Sequence, residues 1–167
     1  MKEFQPTEIK GARDHFTALG FPVEERQIKD LPVKYFVLPQ TLSSDLQDFA
    51  LRMTYTDPTT KKVEGIFGVS DSVPAELRPY WAAHEVIEFT QVGISTKGRC
   101  AISEQRVVEM LPNELRDAYV ARRVDFFSNL AEYFRKDLAS GSNNYTQDDI
   151  NEAEASLVYL QGLQARN

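Results

Sequence analysis

Apolar side chains recur along this chain at one of two spacings, and the spacing that rules each stretch predicts its element. Ile9, Ala12, Phe16 and Leu19 share one face of a helix over residues 8–19, with Thr7 placed to cap it and Gly20 to stop it. Residues 23–29 and 33–38 read as strands on either side of Asp30-Leu31-Pro32, the second being rich in aromatic and β-branched side chains. From Ser43 or Ser44, the positions of Leu46, Phe49, Ala50 and Met53 predict a helix, after which Thr54-Tyr55-Thr56 leads into the turn signal Asp57-Pro58-Thr59-Thr60. Residues 62–70 return as a strand, in which Gly65 and Gly68 mark a bulge or an exposed edge approached by another backbone.

Beyond Pro74 the pattern is helical. Pro79 fits the first position of a helix over residues 79–92, since an interior proline would remove a hydrogen bond and clash, and Gly93 ends it. A polar, turn-like stretch over 94–99 leads to a short helix over 101–111, closed by Pro112. Residues 113–138 form a long amphipathic helix whose Leu115, Tyr119, Phe126, Leu130 and Phe134 are core positions. After a loop over 139–145, Thr146 with Asp149 resembles a capping pair, and the final helix carries Ile150, Ala153, Leu157, Leu160 and Leu163 on one side. With no repeat and no linker, the order predicts one α+β domain over residues 1–167: a small mixed or antiparallel sheet and a helical carboxy-terminal half.

Charge narrows the function. Nineteen basic residues against twenty-five acidic ones leave a formal net charge of −6, and no basic run exceeds the pairs Lys61-Lys62 and Arg122-Arg123. Such a surface repels phosphate, so no nucleic-acid partner is expected. Arg122-Arg123 with Asp125 read as a solvated charged face. The first ten residues lack the positive start and apolar stretch of a signal peptide, and no apolar run is long enough to span a bilayer, so the expected setting is cytoplasmic with no membrane partner. Cys100 is the single cysteine, which excludes an internal disulfide and a multi-cysteine zinc cluster. Glycine-rich phosphate cradles are absent, so no nucleotide cofactor is expected.

The chemistry concentrates in Trp81-Ala82-Ala83-His84-Glu85-Val86-Ile87-Glu88-Phe89. Residues four apart share a helix face, so His84 and Glu88 can grip one metal ion while Glu85 stands beside them as a general base. Ala83 to Phe89 resembles the active-site helix of zincin-like metallopeptidases, whose signature is His-Glu-x-x-His; here Glu88 stands where that family has its second histidine. The resemblance extends over residues 63–93. It implies a zincin-like fold, with the glycine-bearing strand as the edge strand beside the active helix, able to align an extended peptide. It implies hydrolysis of a peptide or protein substrate by a metal-bound water that Glu85 activates. It also implies a divalent cofactor, zinc first, with manganese or iron(II) favoured by the added carboxylate.

In zincins whose third ligand is a glutamate, that residue lies on a downstream helix; by resemblance Glu104 is the first candidate, Glu109 the second, and the Cys100 thiolate a third. His15 borders the first helix's apolar face and reads as structural or exposed. The same segment also admits a bland interpretation, in which His84 is a core side chain with satisfied nitrogens and Glu85 and Glu88 pair with Arg78, Arg99 or Arg106. The protein would then be a zincin-like fold without catalysis, acting as a structural or interaction module through its leucine-lined last helix. An uncovered stripe on that helix would favour a homodimer.

Overall fold

The computed structural model describes residues 3–166. Pro6 opens helix α1 (Pro6–Ala18), where its missing N–H costs nothing, and the Gln5 N–H just before it donates to Glu8 Oε2 at 2.8 Å. The helix thus begins ahead of Thr7, the expected cap. Strands β1 (Val23–Ile28) and β2 (Leu31–Leu38) make a hairpin whose tight turn holds Lys29 at φ 53. Leu31 and Pro32, expected in the break, instead pair with Ile28 and Gln27. Proline is tolerated because alternate residues of an antiparallel pair face away from the partner, and β2 meets β4 (Val63–Ser70) only from Phe36 onward.

The helix expected from Ser43 does not form. A 3-10 turn (Gln40–Leu42) and an irregular stretch lead to strand β3 (Ala50–Thr56). Two periodicities overlap here: Leu51, Met53 and Tyr55 alternate with Arg52, Thr54 and Thr56 at period two, and pairing with β4 decides between them. Asp48 turns the chain into β3 at φ 58. Its carboxylate accepts from Ser72 at 2.6 Å and Arg122 at 2.7 Å, and its carbonyl accepts from Trp81 Nε1 at 3.0 Å. These tertiary bonds outweigh a local helical preference.

The sheet is mixed, in the order β1-β2-β4-β3, with β2 and β4 parallel and the outer pairs antiparallel. The glycine-bearing strand β4 is therefore interior, not the expected edge; the edges are β1 and β3. Its glycines serve close strand approach: a Cβ on Gly65 would lie 2.2 Å from the Met53 carbonyl oxygen, and one on Gly68 2.5 Å from Leu38 Cδ1. α1 covers one face of the sheet around Ile9, Phe36, Leu38 and Ile66. The other face, with Val33, Tyr35, Val37 and Val69, packs on the helical half in the main core.

That half begins with α2 (Arg78–Val86), which continues as a π-helical turn (Ile87–Val92) and stops at Gly93, φ 94. α3 (Arg99–Met110), α4 (Asn113–Ala139) and α5 (Gln147–Gln164) follow, α5 capped by the reciprocal Thr146–Asp149 pair. α5 lies against α4 and α3 with Ile150, Ala153 and Leu160 buried. Of its apolar stripe, Ile150, Ala153 and Leu160 are covered within the chain, while Leu157 and Leu163 are partly buried. Among the described residues no helix is long and apolar enough to cross a membrane.

Candidate metal centre

His84 sits in the last turn of α2, and the π-turn begins three residues later, marked by the Gly93 N–H donating back five residues to the Glu88 carbonyl at 2.9 Å. A π-turn widens the helix locally and is often found where a helix carries functional side chains. Here it carries Glu88, whose Oε2 comes to 3.0 Å from His84 Nε2 while Oε1 accepts from Arg99 Nε at 3.1 Å. One oxygen is thus committed to the fold and the other to the histidine. The next helix brings Cys100, whose Sγ lies 3.5 Å from the same Nε2. His84 Nε2, a Glu88 oxygen and Cys100 Sγ all lie within 4.8 Å of one another, all three residues buried, in an arrangement that can hold a metal ion.

Cys100 is placed by α5. Glu152 caps the start of α3, its two oxygens accepting from the Gly98 N–H at 2.8 Å and the Cys100 N–H at 3.1 Å. Arg99, beside it, spreads its guanidinium among Glu88, Asp149 at 3.6 Å and Glu152 at 3.7 Å. The last helix, expected as a docking surface, thus supplies carboxylates that fix the site.

Glu104 takes a different place from the one expected of a third ligand. Its Oε2 lies 2.6 Å from His84 Nδ1, on the far side of the ring from Glu88 and Cys100. That contact is close but off the N–H direction, so it is an ion-pair contact rather than an aligned hydrogen bond. Both Glu104 oxygens are also taken up by Arg123, at 3.0 and 2.9 Å, and Oε1 accepts from the Tyr119 hydroxyl at 2.7 Å. Arg123, expected on a solvated face, is only 1% exposed and lies over the rings of Trp81, Phe126 and Phe127 at 4.6 to 4.8 Å. Glu109 is exposed and away from the cluster, its carbonyl accepting from Lys29 Nζ, and His15 is exposed.

The electrostatics follow from this packing. Burial disfavours a charged imidazole, but Cys100 and Glu104 outweigh it and hold His84 well above the usual histidine value. Burial likewise works against an ionised Glu104, yet Arg123 and then His84 keep its carboxyl well below the ordinary range. The Cys100 thiol is pushed up by burial, with Glu88 adding to the effect. Glu85, partly buried, is raised to about 6 by desolvation and by its neighbour Glu88.

His84, Glu85, Glu88 and Cys100 all line one cavity of about 710 Å³, between β3, the π-turn, α4 and the start of α5. That volume suits a small ligand or a side chain of a larger one. Its far wall is apolar, with Phe126, Leu130, Phe134 and Tyr145, and its near rim carries Arg52, which lies 4.1 Å over the Phe89 ring. Sequence reasoning brought His84, Glu85 and Glu88 together and named Arg99 among the partners for their carboxylates, as Glu88 has it, but missed Tyr119 and Arg123. Arg123 had left a signal: it falls four residues after Tyr119 and three before Phe126, inside the aromatic stripe. No family model, curated protein or solved structure matches the chain.

Proposed function

We propose that the protein is a metal-dependent hydrolase acting on an amide bond, with a peptide as its substrate class. The observation that carries this reading is the 3.0 Å convergence of His84 Nε2 and Glu88 Oε2 on the wall of a cavity that Glu85 also lines. Zinc, manganese or iron(II) fits this donor set, and when bound it supplies Lewis acidity toward a water and the substrate carbonyl. The residues do the rest. Glu104 holds the imidazole from behind by an ion-pair contact at Nδ1, and Arg99 restrains Glu88 so that one oxygen remains turned toward His84. Glu85, held near 6, is largely ionised at neutral pH and takes the proton of the attacking water, then returns it to the leaving amine.

The zincin-like resemblance of Ala83 to Phe89 supports the chemistry, with β3 rather than β4 beside the cavity as the strand along which an extended peptide would lie. The Phe4 N–H donates to the Thr54 carbonyl of β3 at 3.1 Å, a main-chain bond of the kind an extended peptide would make along that strand.

A second reading rests on the same contacts. Glu88, Glu104, Arg99 and Arg123 each have partners within the chain, so the cluster also works as a structural ion-pair network in a catalytically inactive fold. Metal analysis of protein purified without added metal, followed by His84→Ala and Glu88→Ala, separates the two. Stoichiometric metal lost in both variants, with Glu85→Gln keeping metal and losing peptide hydrolysis, is the expected result. A metal-free wild type whose thermal stability is unmoved by zinc or manganese overturns the hydrolase reading in favour of the structural one.

A further inference from the structure

Resting on the reading that this cluster holds a divalent ion, we propose that Cys100, not Glu104, is the third ligand, making the centre a histidine–carboxylate–thiolate site selective for thiophilic ions. The distances around His84 Nε2 are the first argument. A tetrahedral zinc with bonds of about 2.0–2.1 Å to nitrogen and oxygen and about 2.3 Å to sulfur separates nitrogen from sulfur by roughly 3.6 Å and nitrogen from oxygen by roughly 3.3 Å. The chain already holds Sγ at 3.5 Å and Glu88 Oε2 at 3.0 Å from Nε2. Both separations lie within a few tenths of an ångström of the tetrahedral values.

Direction is the second argument. The two nitrogens of an imidazole point away from each other, so a carboxylate seated on Nδ1 cannot reach an ion held by Nε2. Glu104 sits on Nδ1 at 2.6 Å and is engaged by both Arg123 and Tyr119, so leaving that place would strand a buried guanidinium. Glu104 is a positioning residue. Cys100 lies on the correct side of the ring, and Glu152 pins its backbone N–H at 3.1 Å.

Charge and access complete the case. A thiolate and the Glu88 carboxylate together balance a dication, which a buried site requires. Binding replaces both the Cys100 thiol proton and the proton on His84 Nε2 with the ion, and both protons go to solvent. Three protein ligands leave a fourth position, and the adjoining cavity, lined by Glu85, is where a water would enter. A carboxylate in place of the second histidine draws the site toward manganese, but a sulfur donor draws it toward zinc, cobalt(II) and cadmium.

Cobalt(II) titrated into the metal-free, reduced full chain provides the test. One equivalent is expected to give visible bands of tetrahedral intensity together with a near-ultraviolet sulfur-to-cobalt charge-transfer band. Glu104→Gln is expected to keep that band. Cys100→Ser is expected to lose it and to bind cobalt about 100-fold more weakly or worse, the upper end of what even outer partners of a metal site cost. The wild-type spectrum decides the matter by itself should the serine variant fail to fold. Stoichiometric cobalt without the charge-transfer band overturns the thiolate assignment and leaves the metal centre standing. A chain that binds no cobalt overturns both.

Discussion

Glu104→Gln measures how much of the fold rests on the carboxylate behind His84. Glu104 is fully buried and Arg123 is 1% exposed, and the two meet through paired contacts of 3.0 and 2.9 Å. Glutamine keeps the volume and one acceptor oxygen but removes the charge, leaving the guanidinium with aromatic rings it already touches. Breaking one side of a buried pair costs about 3–5 kcal/mol. At roughly 2–4 °C per kcal/mol for a chain of this size, Tm falls by about 6–20 °C. Urea denaturation and calorimetry in the presence of a chelator keep any bound metal out of the comparison. The sign with pH is a second signature. Because the folded-state value lies below the ordinary 4.5, the unfolded chain takes up the proton first, so this stabilisation is full above 4.5 and is lost as pH falls toward the folded-state value. Wild type and variant therefore converge in acid. A loss under about 1 kcal/mol, the range of exposed pairs, refutes the argument. Recovery of most of the loss in the double variant Glu104→Leu with Arg123→Met separates charge from shape.

Glu85→Gln is expected to trade function for stability. Moving the carboxyl from 4.5 to about 6 favours its protonated form in the folded chain, so stability falls as pH rises across that window. Removing the charge then gains up to about 2 kcal/mol at pH near 7.5 and nothing near pH 4, since each tenfold change in proton affinity is worth about 1.4 kcal/mol; equal stability of both proteins at the higher pH refutes the burial argument. Two glycines should respond oppositely to alanine. Gly65→Ala places a Cβ 2.2 Å from the Met53 carbonyl oxygen and should cost about 1–3 kcal/mol or more, whereas Gly11→Ala in α1 meets no atom within 4 Å and should gain about 0.5–1 kcal/mol. Denaturant midpoints of the two variants check the pair, and a neutral Gly65→Ala contradicts the close approach of β3 and β4.

Helices with long apolar repeats were legible because their own sequence and their packing agree: residues 113–138 and the Thr146 cap fall where the structure has them. Residues 43–56 were not, since the helical spacing of Leu46, Phe49 and Ala50 competes with the alternation of Leu51, Met53 and Tyr55. The contacts that settle it, Arg122 and Trp81 on Asp48, lie far along the chain. The site divides in the same way. His84 and Glu88 could be paired from one helical turn. Cys100 and Glu104 lie one turn apart on α3, and the choice between them depends on which side of the His84 imidazole each one meets, which no local spacing encodes. Arg123 was hidden by its neighbour Arg122, which is partly exposed and bonds Asp48 on another face of α4.

The same distribution of contacts bears on whether the fold would depend on the proposed ion. In small zinc domains the ligands have no other partners, so removing the metal unfolds the chain. Here Glu88 is restrained by Arg99, Cys100 by Glu152 through its backbone, and His84 by Glu104, so these three side chains are held together by protein contacts alone. Stripping metal with a chelator should leave the far-ultraviolet circular dichroism unchanged and lower Tm only by the linkage increment, about 2.7 kcal/mol of stability when the ion had been present at 100 times its Kd. Readdition of zinc should restore the original Tm without a refolding step. Loss of helical signal on chelation would mean that the ion, rather than Arg99, Glu104 and Glu152, holds α2, α3 and α5 together.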